Sequence, residues 1–174
     1  MEGSSSRNIW MSVNTLMTKE VISVKASDRV NDAWVLLMET GITEAPVLDD
    51  SGNLVGVLTT KEISRRIIER YLKARSLNQA TASQADPLMV EREEIRELTI
   101  AIRGVVESTV SAMLPGDHKV LTIGAEDSVE RAIHTMAEHS VNMLPVMKGS
   151  QVVGIITRQD IIWLIAGRPG DHHQ

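Results

Sequence analysis

The chain contains no cysteine, no phenylalanine and few aromatic residues of any kind. The absence of cysteine excludes disulfides, thiolate metal sites and cysteine nucleophiles. Aromatic residues make up 2% of the sequence, so we expect a core of aliphatic and methionine side chains. A stacking surface for single-stranded nucleic acid has little to be built from.

Long apolar runs and targeting signals are also lacking. The longest apolar run near the C-terminus, residues 161–166, is too short to span a bilayer. Residues 1–7 are small and polar, and no apolar leader segment follows them. The net charge of −5 argues against a nucleic-acid partner. We therefore expect a soluble cytoplasmic protein with no membrane or nucleic-acid partner.

An internal repeat organises the 174 residues. Shifting the sequence by 99 positions superposes eight identical residues, and after a one-residue gap a shift of 98 superposes four more. The shared pairs include Pro46/Pro145, Gly56/Gly154 and Thr59/Thr157. Each copy has about 50 residues, which is marginal for a domain that folds alone, so we expect the two copies to share a core.

Both copies show the same order of secondary structure, β-α-β-β-α. Hydrophobic spacing and turn residues predict these elements in the first copy: a strand at 21–24, a helix from Ser27 that ends at Gly41, strands at 45–48 and 54–58, and a helix from Thr59. In the second copy they predict a strand at 120–123, a helix at 128–139, strands at 144–147 and 152–156, and a helix from Arg158. The predicted fold class is α+β.

A largely helical insert separates the two copies. Residues 76–86 are polar and predict a loop, closed by Pro87, and a helical pattern starts at Val90. Its apolar stripe predicts either core or a dimer surface and comprises Ile95, Leu98, Ile102, Val105, Val106, Thr109 and Val110.

Each copy ends in the pattern Gly-apolar-apolar-Thr-x-x-acid, which places a threonine where a strand meets a helix N-terminus. Free backbone N–H groups and the helix dipole make that position suitable for an anion. The threonine hydroxyl can bind a phosphate oxygen, Arg158 or Lys61 can add positive charge, and the acid can accept both hydroxyls of a ribose.

The same spacing also describes a capping box, in which the two side chains only satisfy the helix N-terminus. For Thr59 and Glu62 we favour this capping interpretation. Aspartate is less usual in that role, so Thr157 and Asp160 favour a ligand.

Taken together, these features resemble a pair of cystathionine β-synthase (CBS) domains, also called a Bateman module. The resemblance rests on the tandem repeat, the apolar-x-x-x-Pro-Val segments at 42–47 and 141–146, and the two motif endings. Residues 13–18 match the short segment that precedes a CBS domain, and 111–113 are a weaker copy that lacks the following threonine. The implied domains are 12–72 and 111–167, with the insert at 73–110 and flexible termini at 1–11 and 168–174.

The resemblance implies two repeats packed through their sheets into a disc, commonly dimeric through its helices, that binds AMP, ADP, ATP or S-adenosylmethionine. Carried over from the family, the preferred second-copy site is Thr122, Val141, Asn142, Met143, Pro145, Thr157, Arg158 and Asp160. The first-copy site is Ser23, Ile42, Thr43, Glu44, Ala45, Thr59, Lys61 and Glu62. Glu62 is one methylene longer than the usual aspartate and Glu44 adds negative charge, so we expect the first-copy site to be weaker, empty or altered in specificity.

We therefore expect a regulatory protein that senses an adenine nucleotide and acts on an unidentified partner, with the insert as the responsive element. The alternative is a scaffold dimer with degenerate sites. No catalytic arrangement is evident, so we do not expect an enzyme, and scattered histidines (His118, His134, His139, His172, His173) predict no metal site. Trp34 and Trp163 fit either core or subunit interface, and the basic run between Lys61 and Arg75 fits a solvated helix face.

Overall fold

The structure is a computed structural model that describes residues 11–78, 87–116 and 119–166. Their strands are β1 (Val24–Lys25), β2 (Glu44–Leu48), β3 (Leu54–Thr59), β4 (Ile123–Gly124), β5 (Met143–Lys148) and β6 (Gln151–Thr157). Their helices are α1 (Val30–Thr40), α2 (Thr60–Asn78), α3 (Pro87–Val106), α4 (Val129–His139) and α5 (Arg158–Ala166). Two 3₁₀ turns precede the repeats, at Val13–Thr15 and Val110–Met113.

The two copies have the predicted order β-α-β-β-α, which confirms the α+β fold class. One sheet has the strand order β1-β2-β3 and the other β4-β5-β6. The first two strands of each sheet are parallel, and β5 pairs with β6 in the antiparallel sense. The first strand of each copy is two residues long and starts later than predicted, at Val24 and Ile123.

The repeated proline lies in the central strand of its sheet and not in an edge strand. Pro145 pairs with Ile155 on β6, while the ladder to β4 begins one residue later, at Val146. The N–H that proline lacks is therefore not needed by the β4 ladder, which is why the central strand accepts it.

The chain divides into two compact units that exchange short segments. One unit contains the described residues within Met1–Ser23, Ser51–Leu54 and His118–Gln174, and the other those within Val24–Asp50 and Val55–Asp117. The segment before each repeat thus packs with the other repeat: the Val13 N–H donates to the Asp127 carbonyl, and the Val110 N–H donates to the Asp28 carbonyl. The boundaries at 12–72 and 111–167 remain predictions from the repeat.

Each unit has its own aliphatic core, which explains the exchange. Val13 and Met17 are buried in the core around α4, and Val110 and Met113 in the core around α1. Trp34 is partly buried against the core around α1. Burying these apolar side chains is the largest favourable contribution that the short preceding segments can make.

Helix α2 is longer than the sequence suggests, so the predicted loop is wrong for residues 76–78. The Arg75 guanidinium bonds the Tyr71 hydroxyl at 3.1 Å and the Glu94 carboxylate at 2.8 Å, which joins the last turns of α2 to the start of α3. Of the predicted flexible termini at 1–11 and 168–174, only Met11 is described, and it is partly buried against the core around α4. Residues 79–86 and the histidines His118, His172 and His173 also lie outside the described residues.

The predicted apolar stripe of the insert is core only at its C-terminal end. Val105 and Val110 are buried in the core around α1, whereas Ile95, Leu98 and Ile102 are exposed and Glu97 and Ala101 are buried in their place. Helix α3 therefore presents a different face to α2 from the one that its isoleucines and leucine suggest. In the parts of the chain that the structure describes, no helix is long and apolar enough to cross a membrane.

Candidate ligand site of the second repeat

Thr157 and Asp160 bond to each other in a reciprocal capping box at the start of α5. The Thr157 backbone N–H and its hydroxyl Oγ1 both donate to Asp160 Oδ2 at 2.7 Å, and the Asp160 N–H donates to Thr157 Oγ1 at 3.3 Å. Asp160 is 7% exposed. The capping interpretation, which the sequence favoured for the first copy, therefore also describes the second, because the short Asp160 side chain reaches the N-terminus of α5.

Glu62, the first-copy counterpart, makes different contacts. Its backbone N–H donates to Thr59 Oγ1 at 2.9 Å, which preserves half of the cap. Its carboxylate instead binds Arg65 and Arg66, the latter through Nε at 3.0 Å. The extra methylene of glutamate lets it reach arginines one turn further along α2. The hydrogen bond from Arg65 is the main cause that lowers the pKa of Glu62 below 4.5.

Replacing Arg65 by methionine should raise the pKa of Glu62, and NMR titration of the Glu62 carboxyl measures it. A carboxyl group whose pKa is lower in the folded than in the unfolded state stabilises the fold at pH values above its unfolded-state pKa. This stabilisation is lost as the pH falls through the folded-state pKa. The stability difference between wild type and Arg65→Met should thus be largest at neutral pH and shrink below pH 4.5. Lys61→Met, which removes a neighbouring positive charge, is the control. If Arg65→Met does not change the pKa of Glu62, Arg65 is not the main cause of its lowered pKa.

Arg158 is fixed on the C-terminal end of α4 and the residues after it. Its Nε donates to the Val141 carbonyl at 3.1 Å, its Nη2 to the Met136 carbonyl at 3.4 Å, and its backbone N–H to the Asn142 carbonyl at 2.9 Å. A guanidinium at these carbonyls complements the negative end of the helix dipole. This role of Arg158 was not evident from the sequence, which suggested only a charge beside the anion.

The second-copy residues named from the resemblance fall into one connected group and one neighbour. Met143 pairs with Thr157 across β5 and β6, and Asn142 is bonded to Arg158. The connected group is Val141, Asn142, Met143, Pro145, Thr157, Arg158 and Asp160. Thr122 is exposed and directly precedes β4.

The first-copy residues are placed by the corresponding elements of the first repeat. The Thr60 N–H donates to the Thr43 carbonyl at 2.9 Å, which repeats the backbone bond between Arg158 and Asn142. Ile42 and Thr43 precede β2, Glu44 and Ala45 are its first two residues, and Lys61 is exposed in the first turn of α2. Ser23 precedes β1 and belongs to the other compact unit.

A segment that the repeat alignment assigned to the first copy lies against the second-copy motif. Thr18 and Ile155 exchange two backbone hydrogen bonds of 2.9 Å. A Cβ on Gly154 would lie 2.9 Å from the Thr18 carbonyl oxygen, so glycine is required for this close approach. The only sequence signal was the Met-Thr pair at 17–18, which does not say which repeat it contacts.

The chain belongs to the CBS domain family, since the model of the CBS domain matches residues 13–69 and 112–167. An uncharacterized protein of Methanocaldococcus jannaschii is 27% identical over 154 residues, which are 88% of this chain and 32% of that protein. The chain thus spans about a third of the length of this curated relative.

Solved structures have the same fold. The CBS domain of a CBS domain containing membrane protein from Sphaerobacter thermophilus is similar with a TM-score of 0.66 and 25% identity, and the match covers 92% of this chain and 91% of that chain. The structure of CBSX2 in complex with AMP has a TM-score of 0.61 and 23% identity over 90% of this chain and 97% of that chain. Among the described residues, no cluster of three or more histidine, aspartate or glutamate side chains could hold a metal ion.

Proposed function

We propose that this chain is a regulatory CBS pair that binds an adenosine-containing ligand at the second-copy site and transmits the binding to a partner protein. The observation that carries the proposal is the buried Asp160 carboxylate beside the start of α5. Thr157 engages only Oδ2 of that carboxylate in its two hydrogen bonds. In the proposal, Oδ1 accepts the ribose hydroxyls, which gives a charge-assisted interaction in a largely desolvated position.

Arg158 supplies the phosphate contacts in this proposal, and the Thr157 hydroxyl adds one by turning its proton from Asp160 Oδ2 to the phosphate. A guanidinium has five N–H donors in a fixed plane, and two of those of Arg158 bond the Val141 and Met136 carbonyls. These bonds hold the plane in place, so the other donors can meet a phosphate with little further ordering. The complex of the similar protein CBSX2 with AMP supports a nucleotide as the ligand class.

The first-copy site is the weaker one in this proposal. Glu62 is committed to Arg65 and Arg66, so a ribose would compete with these two arginines for its carboxylate oxygens. Binding at the second copy then shifts an equilibrium between conformations by no more than the ligand's differential affinity for them. A cytoplasmic location, no catalytic activity and a homodimer formed through helices of the repeats complete the proposal.

The second candidate function is a scaffold dimer whose sites no longer bind ligands. The capping box favours it, because Thr157 and Asp160 satisfy each other without any ligand. The two functions differ in one measurable property, which is the affinity of the folded protein for nucleotides.

Calorimetric titration of the full chain with AMP, ADP, ATP and S-adenosylmethionine tests the proposal. The protein is first checked for co-purified nucleotide by denaturation and chromatography of the supernatant. The expected result is micromolar binding, corresponding to roughly 8 kcal/mol, of one of these ligands at about one site per chain. A folded, ligand-free protein that binds none of the four supports the scaffold function instead.

A further inference from the structure

The antiparallel hairpin of α2 and α3 has two different broad faces. Arg75 contacts Glu94, and a Cβ on Gly104 would lie 2.7 Å from Arg70, so α3 runs opposite to α2. A groove of about 620 Å³ follows one side of the hairpin and is lined by Arg70, Lys73, Ala74, Glu93, Arg96, Glu97, Ile100 and Ala101. The Arg75–Glu94 ion pair crosses the hairpin on the other side.

Five exposed aliphatic side chains share the side of the Arg75–Glu94 pair. Ile68 and Leu72 are 55% and 56% exposed and stand four residues apart on α2. On α3, Ile95, Leu98 and Ile102 are 60%, 42% and 40% exposed at spacings of three and four. Such spacings place residues on one face of a helix. We call these five residues the hairpin apolar face, and a cluster of this size on a protein surface is typical of an interaction site.

Four of the five side chains form two level rows across the hairpin, and Ile95 follows Glu94 at the end of these rows. Arg75 is level with Glu94, so one turn back along α2 places Leu72 level with Leu98. One further turn places Ile68 level with Ile102. The face therefore presents two aliphatic rows with an ion pair at one end, which is the inner surface of half a four-helix bundle.

We propose that a second copy of this chain covers the hairpin apolar face, so that two hairpins form an antiparallel four-helix bundle with each α2 on the α3 of the other copy. A two-fold axis parallel to the helices produces this arrangement. It places Arg75 of each copy over Glu94 of the other, so that four charges of alternating sign close one end. The other two-fold arrangement, with α2 on α2, does not place Arg75 over Glu94 of the other copy and lacks this charge complementarity.

This inference rests on the homodimer in the proposed function and extends its interface from the repeat helix α2 to the insert helix α3, but it does not depend on any ligand. Sedimentation equilibrium of the full chain should show a dimer, and Ile95→Glu should shift it to monomer by at least a tenfold weaker association. Ile100→Glu is the matched control, because Ile100 is 58% exposed on the same helix but lines the groove. It should remain dimeric. A monomeric wild type, or equal effects of the two variants, would overturn the inference.

The arrangement of helices is tested by cross-linking, which the cysteine-free sequence makes specific. Oxidation of a mixture of Leu72→Cys and Leu98→Cys proteins should give a covalent dimer that links position 72 to position 98. A mixture of Leu72→Cys and Ile100→Cys should give none, and equal yields from the two mixtures overturn the arrangement. Nucleotide titration of Ile95→Glu separates the two proposals. A monomeric variant that still binds nucleotide supports the ligand site independently of the dimer.

Discussion

Replacing Asp160 by alanine is expected to weaken binding of the adenosine-containing ligand by at least tenfold. Asp160 is buried beside the start of α5, and a hydrogen bond to a charged group contributes about 1.5–3 kcal/mol. A loss of this size corresponds to a factor of about ten to a hundred in affinity. Calorimetric titration of the variant with the ligand found for wild type measures it.

Two further variants separate the role of the charge from that of the shape. Asp160→Asn keeps one acceptor for the Thr157 N–H but removes the second carboxylate oxygen, so its affinity should fall between those of wild type and Asp160→Ala. Glu62→Ala is the matched change in the first copy and should leave the second-copy affinity in place. Unchanged affinity in Asp160→Ala would remove Asp160 from the site.

The same alanine variant should lower the stability of the ligand-free protein. Asp160 receives the Thr157 N–H and hydroxyl, and loss of a capping side chain destabilises a protein by about 0.5–2 kcal/mol. Thermal denaturation without ligand must therefore accompany each titration. Affinity is then compared at a temperature where every variant is folded, so that a loss of binding is not a loss of fold.

The sequence predicted the repeat and its elements because they depend on local periodicity. Alternating apolar residues and the turn residues around Gly52 and Gly149 define the hairpins, and Gly41 ends α1 in the left-handed conformation with φ of 68°. Low aromatic content correctly predicted aliphatic cores. These properties follow from a few neighbouring residues, so no tertiary information was needed.

The site could be predicted only in part because its hydrogen-bond partners depend on side-chain length and distant neighbours. Thr59 and Thr157 have acids at the same spacing, yet Glu62 turns to Arg65 and Arg66 whereas Asp160 turns back to Thr157. The packing of residues 13–18 on the second repeat is likewise a tertiary choice. Neither the contacts of the two acids nor the packing of residues 13–18 follows from sequence spacing, because both depend on which of several possible neighbours lies closest in the fold.

The second large effect is expected from Gly154→Ala, which should destabilise the chain by about 1–3 kcal/mol, as overpacking in a filled interior does. The added Cβ would lie 2.5 Å from Met17 Sδ and 2.9 Å from the Thr18 carbonyl oxygen. The Met17 side chain can rotate away, but the Thr18 backbone is held by two hydrogen bonds to Ile155, through its N–H and its carbonyl. Urea denaturation of the full chain measures the change.

Gly56→Ala is the matched variant, because Gly56 is the repeat partner of Gly154 and meets a different kind of neighbour. Its added Cβ would lie 2.4 Å from Leu114 Cδ2, and the nearest atoms all belong to the Leu114 side chain. Leu114 is only partly buried against the core around α1, and such a side chain adjusts more easily than a hydrogen-bonded backbone, so Gly56→Ala should destabilise less. Equal losses of unfolding free energy in the two variants would mean that the backbone of residues 17–18 moves as easily as the Leu114 side chain. The exchanged segment would then not be a fixed part of the unit that carries the candidate site.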